Sequence, residues 1–452
     1  MKIVIVGAGE IGSHLAKMLS HEGGDICVLD SDASRLARIS SVADVAVVNG
    51  NPTSIKALKE AGAHKADLFI SVFPYTNQEI NIVSALLAKN LGAKKVTARI
   101  SDEEYLTPEN RLLFKEMGVE LLFYPEKIAA DEITDQIKHT GTTESMDFAR
   151  GKLQIVVFKL DDDSPLIDLK LGEFAASIAD DSLLFRVIAI SRNEQTIIPR
   201  FDTKFQYNDL VYAITLRDGL PDLLRLFGKS SVEVDSVMIM GGSTTGELVA
   251  KSLSKQLGRV KIIEKDRARC LELSSKLDNT ILISNGDGRN SDFLLEEGIK
   301  DFDAFVALTE SDEANILACV AAKKFGIAKT VAGVENLEYI RLAEEMGVDT
   351  VINRKLITAG RIFKFTLSGK ARFVKYMSGT NAEALEYTAA PDSRVTKAAL
   401  KDLDFPKEAI IGGVIRGSES FIAVGDTWIE AYDRVAVFAL PEAVKEVDKF
   451  FK

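Results

Sequence analysis

The first thirty residues alternate between apolar runs and turns in the order strand, helix, strand. Residues 2–6 form an apolar run rich in β-branched side chains, which predicts a buried strand. Apolar residues then recur at the spacing of one helix face, at Ile11, Leu15, Ala16 and Leu19. A second apolar run over 26–29 ends at Asp30. The pattern predicts a βαβ unit whose second strand ends in an acid.

Three glycines and one acid give this unit the spacing of a dinucleotide-binding fingerprint. Gly7 permits a tight turn, Gly9 lets the backbone approach a pyrophosphate, and Gly12 lets the helix pack close to the strand. The start of the helix offers free N–H groups to phosphates, and Asp30 can accept hydrogen bonds from ribose hydroxyls while repelling a 2′-phosphate. The alternative is a domain in which the same glycines serve packing alone.

Further apolar runs separated by helical patterns predict a doubly wound, Rossmann-like parallel sheet in this part of the chain. Ligands of such sheets lie beyond the carboxyl ends of the strands. The residues that follow the later strands are therefore expected on the binding rim: Gly50, Asn51, Phe73, Pro74 and Arg99. Arg99 is expected either to reach a phosphate or carboxylate or to form a surface ion pair.

The sequence contains an internal repeat that covers both halves of the chain. The segment around Gly7 recurs 234 residues later around Gly241, and Asp30 meets Glu264 at the same offset. Each copy has a larger front part and a smaller back part, so the expected fold is α/β: two Rossmann-like sheets, each followed by a small α+β lobe. We expect these boundaries: front lobe 1–124, crossover helix 125–140, back lobe 141–217, linker 218–234, front lobe 235–353, crossover helix 354–370 and back lobe 371–452.

The second copy of the fingerprint is altered. Its middle glycine is Ser243, which adds a side chain where the backbone would approach a pyrophosphate, although its hydroxyl can donate to one. Glu264 keeps the ribose-binding acid, whereas Gly333 stands at the position of Arg99. The second front lobe is therefore expected either to bind a different nucleotide or to bind none.

Composition narrows the class of protein. The 452 residues carry 67 carboxylates against 56 Lys and Arg, a formal net charge of −11, with no basic tract for nucleic acid or a lipid surface. No apolar run approaches the length of a membrane span, and the start is not that of a signal peptide. Cys27, Cys270 and Cys319 are too few and too scattered for a disulfide framework or a metal site. We therefore expect a cytoplasmic protein without bound metal.

Taken together, these residues resemble the regulator-of-potassium-conductance family over essentially the whole chain. The resemblance rests on the opening segment 2–12, the Asp-Glu-x-Asn box 312–315, the Gly286-Asp287 turn, and the aspartates Asp209 and Asp433 of the back lobes. The chain departs from the family pattern at Phe73-Pro74, Asn77-Gln78-Glu79, Ser243 and Gly333. These departures concern the identity of the ligand at each site more than the fold.

The resemblance implies a non-enzymatic regulatory subunit that binds NAD(H), with ATP or ADP as further candidates, in its front lobes. Such proteins assemble into a homo-oligomeric ring, expected to be tetrameric, beneath a membrane potassium channel subunit of the TrkH type. The crossover helices would carry dimer contacts. The family pattern places in the first site Gly7, Ala8, Gly9, Glu10, Ile11, Gly12, Asp30, Gly50, Asn51, Phe73, Pro74 and Arg99. It places in the second site Gly241, Gly242, Ser243, Thr244, Thr245, Gly246, Glu264, Asp287, Leu308 and Thr309.

The sequence leaves two other hypotheses about the function open. An NAD-dependent oxidoreductase would need an acid or base near the nicotinamide. Its candidates are His14, His21, His64 and His139, none of which follows a strand of a back lobe, and no Ser-His-Asp or Cys-His set stands out. The other hypothesis is a structural scaffold whose nucleotide sites no longer bind a nucleotide.

Overall fold

The computed structural model describes residues 1–21, 23–74, 77–138, 144–148, 151–161, 164–178, 185–193, 195–229, 234–366, 373–376, 380 and 382–452. These residues form two compact units. The first unit joins Met1–Thr134 to Ser236–Thr366, and the second joins Asp135–Asp235 to Leu367–Lys452. The repeat predicted a front part and a back part in each half of the chain. In the structure, the two front lobes form one unit and the two back lobes form the other.

The first front lobe is a parallel sheet with helices between its strands. The strands are β1 Lys2–Val6, β2 Asp25–Asp30, β3 Ala46–Asn49, β4 Leu68–Ser71, β5 Lys95–Arg99 and β6 Leu121–Phe123. The helices are α1 Glu10–His21, α2 Ala33–Val42, α3 Ile55–Glu60, α4 Gln78–Leu91, α5 Pro108–Glu116 and α6 Pro125–Lys138. The strand order β3-β2-β1-β4-β5-β6 is that of a doubly wound sheet.

The second front lobe repeats this layout in the order β14-β13-β12-β15-β16-β17. Its strands are β12 Ser236–Met240, β13 Arg259–Glu264, β14 Ile281–Asn285, β15 Ala304–Ala307, β16 Lys329–Gly333 and β17 Thr350–Ile352. Its helices are α9 Thr244–Leu253, α10 Arg267–Lys276, α11 Ser291–Glu296, α12 Asp312–Lys324, α13 Leu337–Glu345 and α14 Arg354–Thr366. The sequence therefore predicted the fold class correctly.

The strand register brings the predicted turns together. Val6 of β1 pairs with Leu29 of β2 on one side and with Ser71 of β4 on the other. The carboxyl ends of these three parallel strands therefore meet where the strand order reverses. This is the point at which open α/β sheets bind their ligands.

Each back lobe is an antiparallel sheet with helices beside it. The first consists of β7 Glu144–Phe148, β8 Leu153–Lys159, β9 Phe185–Arg192, β10 Gln195–Ile197 and β11 Leu210–Leu216, with α7 Leu171–Ser177 and α8 Leu220–Leu226. The second consists of β18 Phe373–Tyr376, β19 Glu383–Thr388, β20 Ala409–Arg416, β21 Glu419–Ile422 and β22 Arg434–Ala439, with α15 Pro441–Phe450. The segment 218–234, predicted as a linker, contributes α8, whose Leu223 and Leu224 are buried.

The two back lobes share one hydrophobic core. Ile155 and Tyr212 of the first lobe belong to the same buried cluster as Ala384 and Phe438 of the second. The rings of Tyr212 and Phe438 lie 6.0 Å apart. Each lobe also has a buried cluster of its own, and the shared core adds to the apolar surface that a lobe of about 70 residues can bury alone.

The aspartates that end the back-lobe pattern have a structural role. Asp209 is fully buried and accepts two hydrogen bonds from the Arg192 guanidinium, both at 2.8 Å. Asp433 makes the matching pair with Arg416 in the second back lobe, at 2.8 Å. The repeat therefore preserves a bidentate ion pair between a partly exposed arginine and a buried aspartate, which holds the turn before the last strand.

The described part of the chain includes no helix that is both long enough and apolar enough to cross a bilayer.

Candidate functional site

The glycine turn after β1 has the close backbone approach that the fingerprint predicts. Gly7 has φ +106°, a conformation that side chains disfavour, and its N–H donates to the Leu29 carbonyl at 2.9 Å. A Cβ on Gly12 would lie 1.8 Å from the Gly7 carbonyl oxygen. Only a glycine at position 12 lets α1 pack this closely against the turn.

Gly9 differs from the other two fingerprint glycines, Gly7 and Gly12, because it faces open space. A Cβ built on Gly9 would have no heavy atom within 4 Å. The packing of the protein therefore does not require a glycine here, whereas close approach of a ligand to the backbone would. Ala8 is buried, Ile11 is half-buried, and Glu10 is exposed in the first turn of α1.

Asp30 ties the end of β2 to the glycine turn. Its side chain is 1% exposed and accepts hydrogen bonds from Ala8 N at 2.6 Å and Asp32 N at 2.8 Å. The Asp30 carbonyl also accepts the Gly50 N–H at 3.0 Å. Each carboxylate oxygen can accept a second hydrogen bond, so the acid shapes the turn and keeps acceptor capacity for a ligand hydroxyl.

The rim after β3 and β4 contains residues with local roles. The Asn51 side chain accepts the Thr53 N–H at 2.9 Å, which forms a tight turn. Phe73 is buried, with its ring beneath the Gly7 turn, and Pro74 is half-buried. Phe73 therefore supports the turn from below.

Asn81 of α4 orders this rim, a role that the sequence indicated only through the repeat of the box at Asn315. It is fully buried, accepts the Phe73 N–H at 2.8 Å and donates to the Phe73 carbonyl at 3.1 Å. It also accepts from the Ser71 hydroxyl at 2.9 Å. One side chain thus satisfies both backbone groups of Phe73, two residues after the end of β4.

Replacing Asn81 with alanine is expected to lower the free energy of unfolding by about 2 kcal/mol, because two buried backbone groups of Phe73 lose their partner. Urea titration followed by circular dichroism measures the loss. Asn90→Ala on the same helix is the control, because Asn90 makes an exposed hydrogen bond to the Leu86 carbonyl. Equal stability of the two variants would contradict the role of Asn81.

The structure corrects one of the two roles predicted for Arg99. The guanidinium is 8% exposed and donates to Glu126 Oε1 at 2.8 Å, and Glu126 is 5% exposed. The ion pair is therefore buried and is not on the surface. Burial lowers the pKa of Arg99, and the nearby carboxylate of Glu126 opposes that change. Contact between Arg99 and a phosphate stays a prediction that would require this pair to open.

The second front lobe builds the same turn with different residues. Gly241 has φ +105°, and a Cβ on Gly246 would lie 2.2 Å from the Gly241 carbonyl oxygen. Glu264 accepts the N–H of Gly242 at 2.7 Å and that of Asp266 at 2.7 Å. The longer acid thus takes over the bonds that Asp30 makes in the first lobe.

Ser243 changes the start of α9. Its hydroxyl accepts the Gly246 N–H at 3.2 Å and caps the helix. Thr244 is exposed and Thr245 is buried in the same turn. One N–H group that would otherwise face a phosphate is therefore already paired within the protein.

The rest of the second rim is also occupied by protein contacts. Asp287 is held by the Arg289 guanidinium at 2.6 Å, which lowers the pKa of Asp287 to about 2. Thr309 donates its N–H and its hydroxyl to Asn315 Oδ1 at 2.9 and 2.7 Å. At Gly333, a Cβ would lie 3.0 Å from Leu308 Cδ2. Leu308 therefore packs against the position that matches Arg99.

Arg269 is a residue of the second site that we did not predict. Its Nε donates to the Gly242 carbonyl at 2.7 Å, and its guanidinium also pairs with Glu247 at 2.7 Å. The signal was present in the repeat, because Arg35 stands 234 residues earlier. Arg35 instead pairs locally with Asp32 at 3.4 Å.

The histidines do not assemble an acid–base site in the described residues. His14 lies within α1 and His21 ends it, while His64 lies in a short 3-10 turn before β4. His139 lies outside the described residues. No group of three or more His, Cys, Asp or Glu side chains suited to a metal ion occurs in the described ranges.

Comparison with known proteins gives full-length matches. The TrkA-N domain model matches residues 3–125 and 237–354, and the TrkA-C domain model matches 155–228 and 384–452. A Trk system potassium uptake protein TrkA homolog of Archaeoglobus fulgidus is 35% identical, with 100% of each chain covered. The Trk system potassium uptake protein TrkA of Halomonas elongata is 32% identical, covering 100% of this chain and 99% of its own length.

Solved structures share the fold. The GsuK RCK domain superposes with a TM-score of 0.62 at 16% identity, covering 100% of this chain and 94% of its own. The GsuK channel bound to NAD gives a TM-score of 0.62 at 17% identity, covering 100% of this chain and 78% of its own. None of these descriptions names an oxidoreductase.

Proposed function

Because this chain belongs to the TrkA family of potassium uptake proteins, we propose that it is the nucleotide-sensing regulatory subunit of a potassium uptake system. It would bind a nucleotide in its first front lobe and control a membrane potassium channel subunit of the TrkH type. The observation that carries this proposal is the open space at Gly9 beside two neighbouring glycines that packing requires.

The chemistry of the first site favours NAD(H) over its 2′-phosphorylated form. A pyrophosphate would meet the glycine turn and the start of α1, where free N–H groups and the helix dipole favour anions. Asp30 lies at the end of the neighbouring strand β2 and accepts the Ala8 N–H of that turn. Its carboxylate would accept from ribose hydroxyls and would repel a 2′-phosphate. ADP and ATP share the ribose and phosphate groups and are further candidate ligands.

The solved relatives support both classes of ligand. GsuK has been described bound to NAD, and in another structure bound to ADP, which matches this chain with a TM-score of 0.51 at 14% identity. At this identity the likeness shows the fold, and the residues of the first site supply the argument for binding.

The second front lobe would bind nucleotide more weakly than the first. Ser243 already pairs one N–H of the helix start, Leu308 fills the space at Gly333, and Arg289 holds Asp287. A ligand would have to displace these contacts. The two lobes would then differ in affinity although they share one fold.

Regulation requires that the ligand distinguish two states of an assembly. We propose a homo-oligomeric ring, tetrameric in the family pattern, which nucleotide binding shifts between two arrangements. The shift is limited by the difference in affinity of the nucleotide for those arrangements. The net charge of −11 disfavours direct contact with anionic lipid, so the protein would reach the cytoplasmic face of the membrane through its channel partner.

Replacing Asp30 with alanine is expected to weaken NADH binding at least about tenfold, because the ribose acceptor and the anchor of Ala8 are both lost. Isothermal titration with NADH, NADPH, ADP and ATP measures the affinities. Asp30→Glu is the matched control, since a glutamate makes the same bonds at Glu264. Glu264→Ala tests the second site in the same way.

Two outcomes would contradict the proposal. The first is a wild-type protein that binds none of the four nucleotides. The second is a potassium flux, measured in vesicles with the TrkH-type subunit, whose response to NADH and ATP is the same in Asp30→Ala and the wild type.

A further inference from the structure

The second front lobe places a lysine at the mouth of the first glycine turn. Helix α14 of the second lobe packs against α1 of the first lobe within the same compact unit. Lys355, the second residue of α14, has its Nζ 3.3 Å from Glu10 Oε2 and 3.0 Å from the Glu335 carbonyl. Glu10 directly follows Gly9, so this ammonium group lies beside the end of α1 where phosphate would bind.

The start of α14 is an unfavourable place for cations. Arg354 and Lys355 occupy its first turn, and no acid accompanies them there. The dipole of a helix disfavours positive charge at this end. The buried side chain of Asn353 nevertheless fixes this start, accepting the Leu356 N–H at 2.9 Å and donating to the Val334 carbonyl at 2.8 Å. A cation held against the dipole on an anchored backbone is a local conflict typical of functional positions.

The two partners of the Lys355–Glu10 pair differ in exposure. The Lys355 side chain is 16% exposed, whereas that of Glu10 is 72% exposed. The Glu10 side chain can therefore turn into solvent at little cost in free energy, while the less exposed Lys355 side chain stays in its position beside α1. An incoming phosphate would repel the Glu10 carboxylate and take its place beside the ammonium.

The surroundings of His14 are consistent with a positive potential at this position. His14 lies one turn after Glu10 on α1, and its buried Nε2 has no hydrogen-bond partner among the described residues. Burial lowers the pKa of His14, and the positive charges of Lys355 and Lys17 lower it further. This lowering of the pKa favours the neutral form of the imidazole.

We propose that Lys355 is a phosphate-binding residue of the first nucleotide site, supplied across the lobe boundary by α14. This inference rests on the proposed function, and it makes the first site incomplete without the second front lobe. Glu10 is the partner of the lysine when no ligand is bound. Nucleotide binding would then replace the Lys355–Glu10 pair with a contact from α14 to the phosphate at α1, so the ligand would contact both lobes directly.

The repeat restricts this arrangement to the first site. Gly118 and Gly347 match between the copies, and the same offset of 229 places Glu126 opposite Lys355. The first crossover helix thus carries an acid where the second carries the lysine, and that acid is bonded to Arg99 at 2.8 Å. The second site has no matching lysine, so loss of Lys355 should affect only one class of binding sites.

The test compares four proteins: wild type, Lys355→Gln, Lys355→Arg and Lys251→Gln. Lys251 is the matched control, because its Nζ also makes an ion pair between the lobes, 3.1 Å from Glu103 Oε2, but lies in the last turn of α9. Isothermal titration with ADP, ATP and NADH is performed on the full chain, with adenosine as the ligand that lacks phosphate.

We expect Lys355→Gln to weaken ADP and ATP binding at the first site about tenfold, the effect of one charge-assisted contact. Lys355→Arg should retain affinity within about threefold, and Lys251→Gln should match the wild type. Adenosine binding should be the same in all four proteins. Thermal unfolding of each variant verifies that the fold is kept.

Two results would overturn the assignment while leaving the proposed function intact. One is wild-type affinity of Lys355→Gln for ADP and ATP. The other is a parallel loss of adenosine affinity, which would show that Lys355 only supports the fold of the site. A wild-type protein that binds none of these ligands would instead overturn the proposed function, and the role of Lys355 with it.

Discussion

Glu126→Ala is expected to lower the free energy of unfolding by about 3–5 kcal/mol, the cost of leaving a buried charge without its partner. Glu126 accepts from Arg99 Nη2 at 2.8 Å, and Arg354 Nη1 lies 3.5 Å from the same oxygen. Removing the carboxylate leaves the buried guanidinium of Arg99 with no anion and exposes it to the charge of Arg354. Urea titration followed by circular dichroism measures the loss.

The control is a pair of the same chemistry on the surface. Arg341 and Glu345 lie 2.8 Å apart on α13, with side chains 67% and 58% exposed. Glu345→Ala should cost at most about 0.5 kcal/mol, because solvent screens an exposed pair. The double variant Arg99→Met with Glu126→Leu should be more stable than Glu126→Ala, since it removes the unpaired charge. Similar losses in Glu126→Ala and Glu345→Ala would contradict this account.

The front-lobe fold could be predicted from the sequence because its signals are local. Each apolar run ends at a turn residue within a few positions, and the βαβ fingerprint at Gly7 lies within one strand–turn–helix segment. The family resemblance, read from the same residues, is confirmed by the domain models. In the second back lobe β18, β19 and α15 were not predicted, although Pro441 at the start of an amphipathic stretch is a helix signal.

The grouping of lobes could not be predicted, because it depends on contacts between residues far apart in the chain. Tyr212 and Phe438 meet in one core across 226 positions. Periodicity shows that each face is apolar, but it does not show which other face covers it. The repeat shows two copies of a front part and a back part but not which parts pack together, whereas the structure joins equivalent lobes.

In the candidate site, too, features set by local spacing could be predicted and features set by distant contacts could not. The positions of the glycines and of the acids follow from fixed spacings, and in the structure each acid bonds to the glycine turn of its lobe. The burial of Arg99 depends on Glu126, which lies 27 positions further on, and the position of Lys355 depends on Glu10, 345 positions earlier. Neither pair leaves a periodic signal, so their geometry was visible only in the folded chain.

Gly12→Ala is expected to lower the free energy of unfolding by about 3 kcal/mol, at the upper end of the range for overpacking. The new methyl group would lie 1.8 Å from the Gly7 carbonyl oxygen and 3.0 Å from Val72 Cγ2. The first of these neighbours is backbone, so α1 must move away from β1. The better helix propensity of alanine, worth roughly 1 kcal/mol, cannot offset that displacement. Gly246→Ala in the second lobe should behave alike, because its methyl group would meet the Gly241 carbonyl oxygen at 2.2 Å.

Gly9→Ala separates packing from ligand binding within the same turn. Its methyl group would have no atom within 4 Å, so the free energy of unfolding should change by less than about 0.5 kcal/mol. The methyl group would nevertheless occupy the space through which a pyrophosphate approaches the backbone, and NADH affinity should fall at least about tenfold. Urea titration and isothermal titration on the same preparations measure both quantities. A Gly9→Ala protein with unchanged stability and unchanged NADH affinity would show that the open space at this turn is not where the nucleotide binds.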